Sequence, residues 1–156
     1  MIILHHLNNS RSQRILWLLE ELQLPYEIKY YQRDRKTSLA PEALRQVHPL
    51  GKSPIITDNK RIDESITDNK STDLKITDGE ASGKITIAES GAIIEYLCRV
   101  YGNDSIRPTE TSDAYLQYQY WLHFSEGTMM PPLLLKLILQ KVKEKSPPLF
   151  VKPIAK

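Results

Sequence analysis

The sequence predicts an α/β domain built on a mixed four-stranded sheet, followed by the start of an all-α domain. Three observations carry this. A short apolar segment, Met1–Leu4, runs through the polar stretch His5-His6-Leu7-Asn8-Asn9-Ser10-Arg11-Ser12 into an amphipathic helix. Strand-type and helix-type patterns then follow in the order βαβα and ββα up to Gly102. Beyond Arg107-Pro108 only helical periodicity remains.

In the first segment, Ile15, Leu18, Leu19 and Leu22 recur at helical spacing until Pro25, which is expected to stop the helix. Tyr26, Ile28 and Tyr30 alternate with Glu27, Lys29 and Tyr31 as a strand does, and Pro41 to Val47 reads as a short helix with proline near its start. Ser53–Thr57 and Lys84–Ala88 read as two further short strands. Ser90 then stands as the expected N-cap of a helix carrying Ala92, Ile93, Ile94, Leu97, Val100 and Tyr101, with Gly102 as its stop. The expected domains are 1–104 and 105–156. In the second, Ser112–Glu126 is helical, Gly127 and Pro131-Pro132 are expected to interrupt it, and a new helix is expected to begin at Pro131. Its residues Leu133, Leu134, Leu135, Leu137, Ile138, Leu139 and Val142 leave little polar face, so burial on most sides is expected. The chain then becomes rich in proline and lysine, as if an all-helical domain were cut short.

Between the last two strands lies a ten-residue repeat: Ile56-Thr57-Asp58-Asn59-Lys60, Ile66-Thr67-Asp68-Asn69-Lys70 and Ile76-Thr77-Asp78-Gly79-Glu80. It lacks the D-x-D-x-D-G density of a calcium loop and reads as a hairpin lengthened by duplication.

Composition narrows the function. The 156 residues carry a formal charge of +2; six lysines against Glu144 give residues 136–156 a charge of +5 and leave −3 for the remainder. A basic end of this kind is read as a solvated helix face, with contact to anionic lipid left open and no nucleic-acid partner expected. The single cysteine, Cys98, lies among core positions of a helix and fits a reducing, cytoplasmic setting without disulfides. No secretory or membrane-spanning pattern is expected, because no basic segment leads into a long apolar run. Gly51-Lys52-Ser53 resembles the end of a phosphate loop, but Gln46 stands where glycine is required and Pro54 blocks the following helix, so nucleotide binding is rejected. A C-x-x-C pair is absent from the first helix start, where Asn9, Ser10, Arg11 and Ser12 stand. His5 and His6 point to opposite sides of a strand without partners at ligand spacing, and strand-end packing is preferred to metal binding.

A strand-to-helix turn aims unpaired backbone N–H groups and the positive end of the helix dipole at its surroundings, which suits a thiolate or carboxylate. Ser10 is the preferred functional hydroxyl there. A simple capping role for Ser10, or for Ser12, is the alternative.

Three separated motifs make the pattern specific. Ser10-Arg11-Ser12-Gln13-Arg14 with Ile15-Leu16, then His48-Pro49-Leu50-Gly51-Lys52-Ser53-Pro54, then Ala88-Glu89-Ser90-Gly91-Ala92-Ile93-Ile94 occur in this order, and Phe124–Gly127 with Pro131-Pro132-Leu133 follows. In these the chain resembles the glutathione transferases, closest to a serine-type fungal class related to the theta and beta enzymes, truncated in the helical domain. The resemblance implies a thioredoxin-like first domain, glutathione as co-substrate without a metal, and a homodimer. Ser10 would donate a hydrogen bond to the glutathione sulfur, with Arg11 and Arg14 as electrostatic support. Ser53, before a cis Pro54, would offer its main chain to the cysteinyl unit; a trans proline opening an edge strand is the plainer reading. Glu89 and Ser90 would hold the γ-glutamyl end, although Ser90 can equally serve as a cap, and Lys52 would pair with the glycyl carboxylate or remain a solvated loop lysine. Tyr115, Tyr118 and Trp121 could line an electrophile pocket or form core or dimer contacts.

His48 stands where the family has asparagine and Ser53 where it has valine, and the repeat enlarges a region expected to neighbour the glutathione site. The activity implied is conjugation of glutathione to small electrophiles, or glutathione-dependent peroxide reduction. A non-catalytic interaction module and an inactive truncated product are the alternatives.

Overall fold

The computed structural model describes residues 1–59, 84–102 and 106–145. The chain divides into two compact units, the first Met1–Ile106 and the second beginning at Arg107. The first unit contains β1 (Ile2–Leu7), α1 (Ser12–Glu21), β2 (Tyr26–Tyr31), α2 (Glu42–Val47), β3 (Ile55–Asp58), β4 (Ile85–Ala88) and α3 (Ser90–Tyr101). They form the expected mixed sheet of four strands in the order β2-β1-β3-β4, with β1 and β2 parallel and the other pairs antiparallel. The parallel pair requires a crossover, and α1 supplies it.

The two faces of the sheet are covered by different helices. Ile2 and Leu4 of β1, Ile56 of β3 and Ile87 of β4 pack with Ile15 and Leu19 of α1 and with Ile93 and Leu97 of α3. On the opposite face Leu7, Tyr31, Ile55 and Ala88 pack with Leu44 of α2. The alternation along β1 is therefore apolar on both sides, as a central strand between two helical layers requires. Cys98 is buried in α3, as its helical spacing predicted.

Several boundaries differ from the sequence expectation. Strand β1 runs on to Leu7, because His5 and His6 continue its ladder opposite Lys29 and Tyr30 of β2. Helix α1 ends before Pro25 compels it: Gln23 adopts φ 51°, its N–H bonds the Glu20 carbonyl at 2.9 Å and the Leu24 N–H bonds that of Leu19 at 3.0 Å, a Schellman closure. Tyr30 stays 72% exposed because β2 is an edge strand, whereas Tyr31 turns to the α2 face and is buried. Strand β3 begins at Ile55, after the cis Ser53–Pro54 bond.

The second unit holds α4 (Asp113–Phe124), a π-helical turn (Ser125–Met129) and α5 (Met130–Lys145). The expected interruption at Gly127 and Pro131 is instead a continuous helical run. The Met130 N–H reaches back five residues to Ser125 O, and the two prolines stand directly after this π-helical turn, at the start of α5. The expected burial of α5 is not observed: its apolar residues from Leu133 to Val142 stand 44–57% exposed. Within this unit the described chain supplies two helices and one turn, too little surface to cover an apolar helix on most sides. Among the described residues no helix is long and apolar enough to cross a membrane. The repeat beyond Asn59 and the lysine-rich stretch from 146 onward lie outside the described residues.

Two buried polar clusters fix the sheet. Asp58, expected only as a member of the repeat, is fully buried on the α3 face. Its Oδ2 accepts the Tyr96 hydroxyl at 2.9 Å and the Tyr101 hydroxyl as well, and the Met1 ammonium lies 3.8 Å from Oδ1. Burial first, and then the bond to the Asp58 carboxylate, push both phenols above their usual range, so they remain neutral donors. On the α2 face, His5 sets Nδ1 3.0 Å from the Tyr31 hydroxyl and Nε2 3.0 Å from the Thr57 hydroxyl. Burial, aided by the charges of Lys29 and Lys84, lowers its pKa to about 4.

Asp58→Ala removes the shared acceptor of two phenolic hydroxyls and the partner of the N-terminal ammonium. It is expected to cost about 2–4 kcal/mol, read as a lower urea midpoint at unchanged slope, with Tyr101→Phe costing less. His5 generates a pH effect. The unfolded imidazole binds its proton near 6.5 and the folded one near 4, so between these values the unfolded chain holds more protons and stability falls as pH drops. His5→Gln is expected to flatten that fall; equal slopes for the two proteins in denaturant titrations from pH 6.5 to 4 would show that His5 is not its source.

Candidate functional site

The register of the sheet assembles the site. His5 of β1 lies opposite Ile55, and Ile55 lies opposite Ala88. Because β3 is antiparallel to both neighbours, the exit from β1, the entry to β3 and the exit from β4 fall at one end of the sheet. Three segments meet there: the turn Asn8–Ser12, the loop Gly51–Pro54, and Glu89-Ser90 at the start of α3.

The first turn is bent and held. Asn9 adopts φ 52°. Arg33, which sequence reading missed, clamps it: its N–H bonds Asn8 Oδ1 at 2.7 Å, Nε bonds the Asn8 carbonyl at 3.2 Å and Nη2 the Asn9 carbonyl at 3.5 Å. Only the pairing of β1 with β2 brings Arg33 there, so no local signal announced it. Helix α1 begins at Ser12 with Arg11 in the cap position and no side-chain cap bond. Ser10 is thus one residue outside the cap, and its Oγ accepts the Ser12 N–H at 3.3 Å. Neither serine fills the expected cap position, and Arg14 stands in the first turn with its N–H bonded to the Arg11 carbonyl at 3.2 Å.

The loop before β3 is shaped by two backbone features. Gly51 has φ +55°, and a Cβ there would lie 2.5 Å from Arg45 Cγ, so glycine is required on both conformational and steric grounds. The Ser53–Pro54 peptide is cis, as the resemblance implied. His48, standing where asparagine was expected, keeps an acceptor in the turn: its Nδ1 takes the Leu50 N–H at 3.3 Å. Ser53 Oγ donates to the His5 carbonyl at 3.0 Å and sits 3.2 Å from Ser10 Oγ. The structure therefore joins two predicted site residues directly and places Pro54 beside them, buried, with Lys52 next in sequence and exposed.

At the third segment Glu89 occupies the cap position of α3 at φ 73°, again without a side-chain cap bond, and Ser90 is the first helical residue. The expectation of Ser90 as N-cap is corrected by one residue, because the chain leaves β4 through the left-handed conformation of Glu89. Glu89 is exposed and Ser90 buried. Two helix starts without a side-chain bond from the cap residue and an exposed carboxylate at one sheet end suit a zwitterionic ligand. Among the described residues no group of three or more acidic, histidine or cysteine side chains is placed to hold a metal ion.

The first three residues of the repeat, Ile56-Thr57-Asp58, belong to β3. Asp58 pairs with Ile85, three positions beyond Ile55 along β3 and away from Ser53. In the second unit none of the α4 residues is buried. Tyr115 stacks on Tyr118 at 6.0 Å and accepts from Arg107 at 3.0 Å and Gln119 at 2.9 Å, while Trp121 is exposed.

Residues 10–100 match the N-terminal domain family of glutathione S-transferases. Glutathione S-transferase 3 of Schizosaccharomyces pombe is 45% identical over 132 residues, covering 84% of this chain and 43% of that protein. A crystal structure of a glutathione S-transferase from Actinobacillus pleuropneumoniae superposes with a TM-score of 0.63 at 34% identity, over 97% of this chain and 58% of that one. A glutathione transferase family member from Pseudomonas fluorescens, crystallised with two glutathione bound, has a TM-score of 0.60 at 25% identity, over 83% of this chain and 48% of that one. The chain spans about half the length of the curated relatives it matches. Motif order, the thioredoxin-like sheet, the cis Ser53–Pro54 turn and these similarities agree: the chain belongs to the glutathione S-transferase family.

Proposed function

We propose that this chain binds reduced glutathione at the sheet end and activates it as a thiolate for transfer to small electrophiles. The observation that carries the reading is Ser10 Oγ, 3.2 Å from Ser53 Oγ beside a cis Ser53–Pro54 turn. The hydroxyl stands at the dipole-positive start of α1 and next to the backbone that a cysteinyl residue would pair with.

A free thiol titrates near ~8.5, so each unit of lowering gives roughly tenfold more nucleophile at neutral pH until the ionised fraction saturates. Ser10 contributes by donating to the sulfur, and the α1 dipole contributes by favouring negative charge. Ser53 holds the cysteinyl peptide with its main chain. Glu89 takes the γ-glutamyl ammonium, Ser90 and the first N–H groups of α3 take its carboxylate, and Lys52 pairs with the glycyl carboxylate. Arg11 and Arg14 add positive potential beside Ser10. The thiolate then attacks an electrophilic carbon, forming the S–C bond as the leaving group departs or the double bond takes up the electron pair. Reduction of a hydroperoxide, with a second glutathione consumed to form the disulfide, uses the same thiolate. The single buried cysteine supports placement in a reducing compartment such as the cytoplasm, and exposed Leu116, Tyr120 and Trp121 on α4 support a homodimer.

Calorimetric titration with reduced glutathione is expected to show one saturable site per chain. Glu89→Gln should weaken binding about tenfold or more, by loss of a charge-assisted bond. Ser10→Ala should leave affinity within about threefold and lower turnover with a chlorinated aromatic electrophile by about tenfold or more. No heat from a folded sample would overturn the reading.

A further inference from the structure

Five polar groups at the site stand in series. His6 Nδ1 lies 2.8 Å from Ser12 Oγ, Ser12 Oγ 2.8 Å from Ser10 Oγ, Ser10 Oγ 3.2 Å from Ser53 Oγ, and Ser53 Oγ 3.0 Å from the His5 carbonyl. The last group fixes the direction of the whole series. A carbonyl only accepts, so the single Ser53 proton goes to His5 O, and Ser53 Oγ must accept from Ser10. The Ser10 proton is then spent on Ser53, so Ser12 must donate to Ser10. The Ser12 proton is spent in turn, so His6 Nδ1 must carry a proton and donate to Ser12. Hydroxyls with one proton each allow no other assignment in which all four bonds are made.

Ser10 Oγ therefore receives two hydrogen bonds, from the Ser12 hydroxyl and from the Ser12 N–H at 3.3 Å. Its own proton points outward along the longest bond of the series. Incoming donors polarise a hydroxyl and strengthen it as a donor, so the arrangement raises the hydrogen-bond acidity of Ser10. Among the described residues the side chains of Ser12 and His6 make no other hydrogen bond. Ser12 is fully buried at the first position of α1, a helix whose start forms no side-chain cap. His6 is held edge-on against the Tyr30 ring at 5.6 Å.

We infer that His6 and Ser12 are positioning residues that set a one-way hydroxyl relay onto Ser10 and so present its proton to the sulfur of bound glutathione. The inference rests on the reading of Ser10 given above and adds the residues that make it a strong donor. When a thiolate arrives, the Ser10 proton turns from Ser53 to sulfur. Ser53 keeps its bond to His5 O, and the donors from Ser12 remain in place.

The test titrates the thiol of glutathione bound to the full chain, reading thiolate absorbance against pH, with affinity measured by calorimetry at a pH where the thiol is protonated. Ser12→Ala and His6→Leu should each raise the bound thiol's pKa by about 0.5–1 unit, roughly a three- to tenfold loss of thiolate at neutral pH, with affinity within about twofold. His6→Asn, which keeps an N–H donor near the position of Nδ1, should restore most of the loss. Should Ser12→Ala not fold, Ser12→Thr serves as the second variant and should titrate like the parent. If the titration is unmoved by His6→Leu and Ser12→Ala but rises in Ser10→Ala, the relay is overturned and the role of Ser10 stands. If Ser10→Ala also leaves it unmoved, the parent reading falls with it. A rise in which His6→Asn matches His6→Leu, or weaker binding without a rise, assigns His6 to shape alone and overturns the relay.

Discussion

The pairing of β1 with two partners of opposite direction is the constraint on which the first unit depends. Parallel pairing to β2 requires the α1 crossover and brings Arg33 beside the turn that precedes Ser10. Antiparallel pairing to β3 places the Gly51–Pro54 loop at the same end. A slip of one residue between β1 and β3 would exchange the faces of Thr57 and Asp58, taking Thr57 from His5 and Asp58 from Tyr96 and Tyr101. It would also carry Ser53 away from both Ser10 and the His5 carbonyl. The packing that selects the register therefore selects the site geometry, and no separate device is needed to align the two serines.

Polar groups in this core are confined to places where both capacities of each group are met. His5 has a partner on each ring nitrogen, and Asp58 gathers two phenols and an ammonium. Among the described residues no buried side-chain nitrogen or oxygen lacks a partner. Each cluster ties distant parts of the chain: Asp58 links the first residue to the end of α3, and His5 links β1 to β2 and β3. Such clusters add directional demands that apolar packing does not make, since a misplaced partner leaves a desolvated dipole.

The legible part of the fold was the part written in local periodicity. Ile15 and Leu19, or Ile93 and Leu97, announce their helices because the apolar side chains repeat with the helix turn. Cap positions were displaced by one residue at both helix starts, because a cap is a backbone conformation and the positive φ of Asn9 and Glu89 is not dictated by residue type alone. The contact of Ser10 with Ser53 spans 43 residues and was legible only through resemblance. The burial of Asp58 was illegible for the same reason: its partners lie 38 and 43 residues away, and an aspartate within a polar repeat gives no sign of being the one that turns inward. The continuous run through Pro131 follows from a π-helical turn, whose shifted hydrogen-bond register no pattern in Gly127–Pro132 encodes.

The pairing of Asp58 with Ile85 separates two evolutionary regimes within one strand pair. Asp58 and Ile85, the paired ends of β3 and β4, stand opposite each other, about 5 Å apart, at the end of the sheet remote from Ser53. Lengthening the chain between two anchored strand ends costs about 0.6 kcal/mol of closure entropy for each doubling. Duplication of a ten-residue unit there is therefore nearly neutral to the domain, whereas an equal duplication between Leu7 and Ser12 would destroy the register that makes the site. The strand ends Asp58 and Ile85 are a natural port for grafted sequence, at which an epitope or a fluorescent reporter can be carried with both ends anchored and the Ser10–Ser53 end untouched.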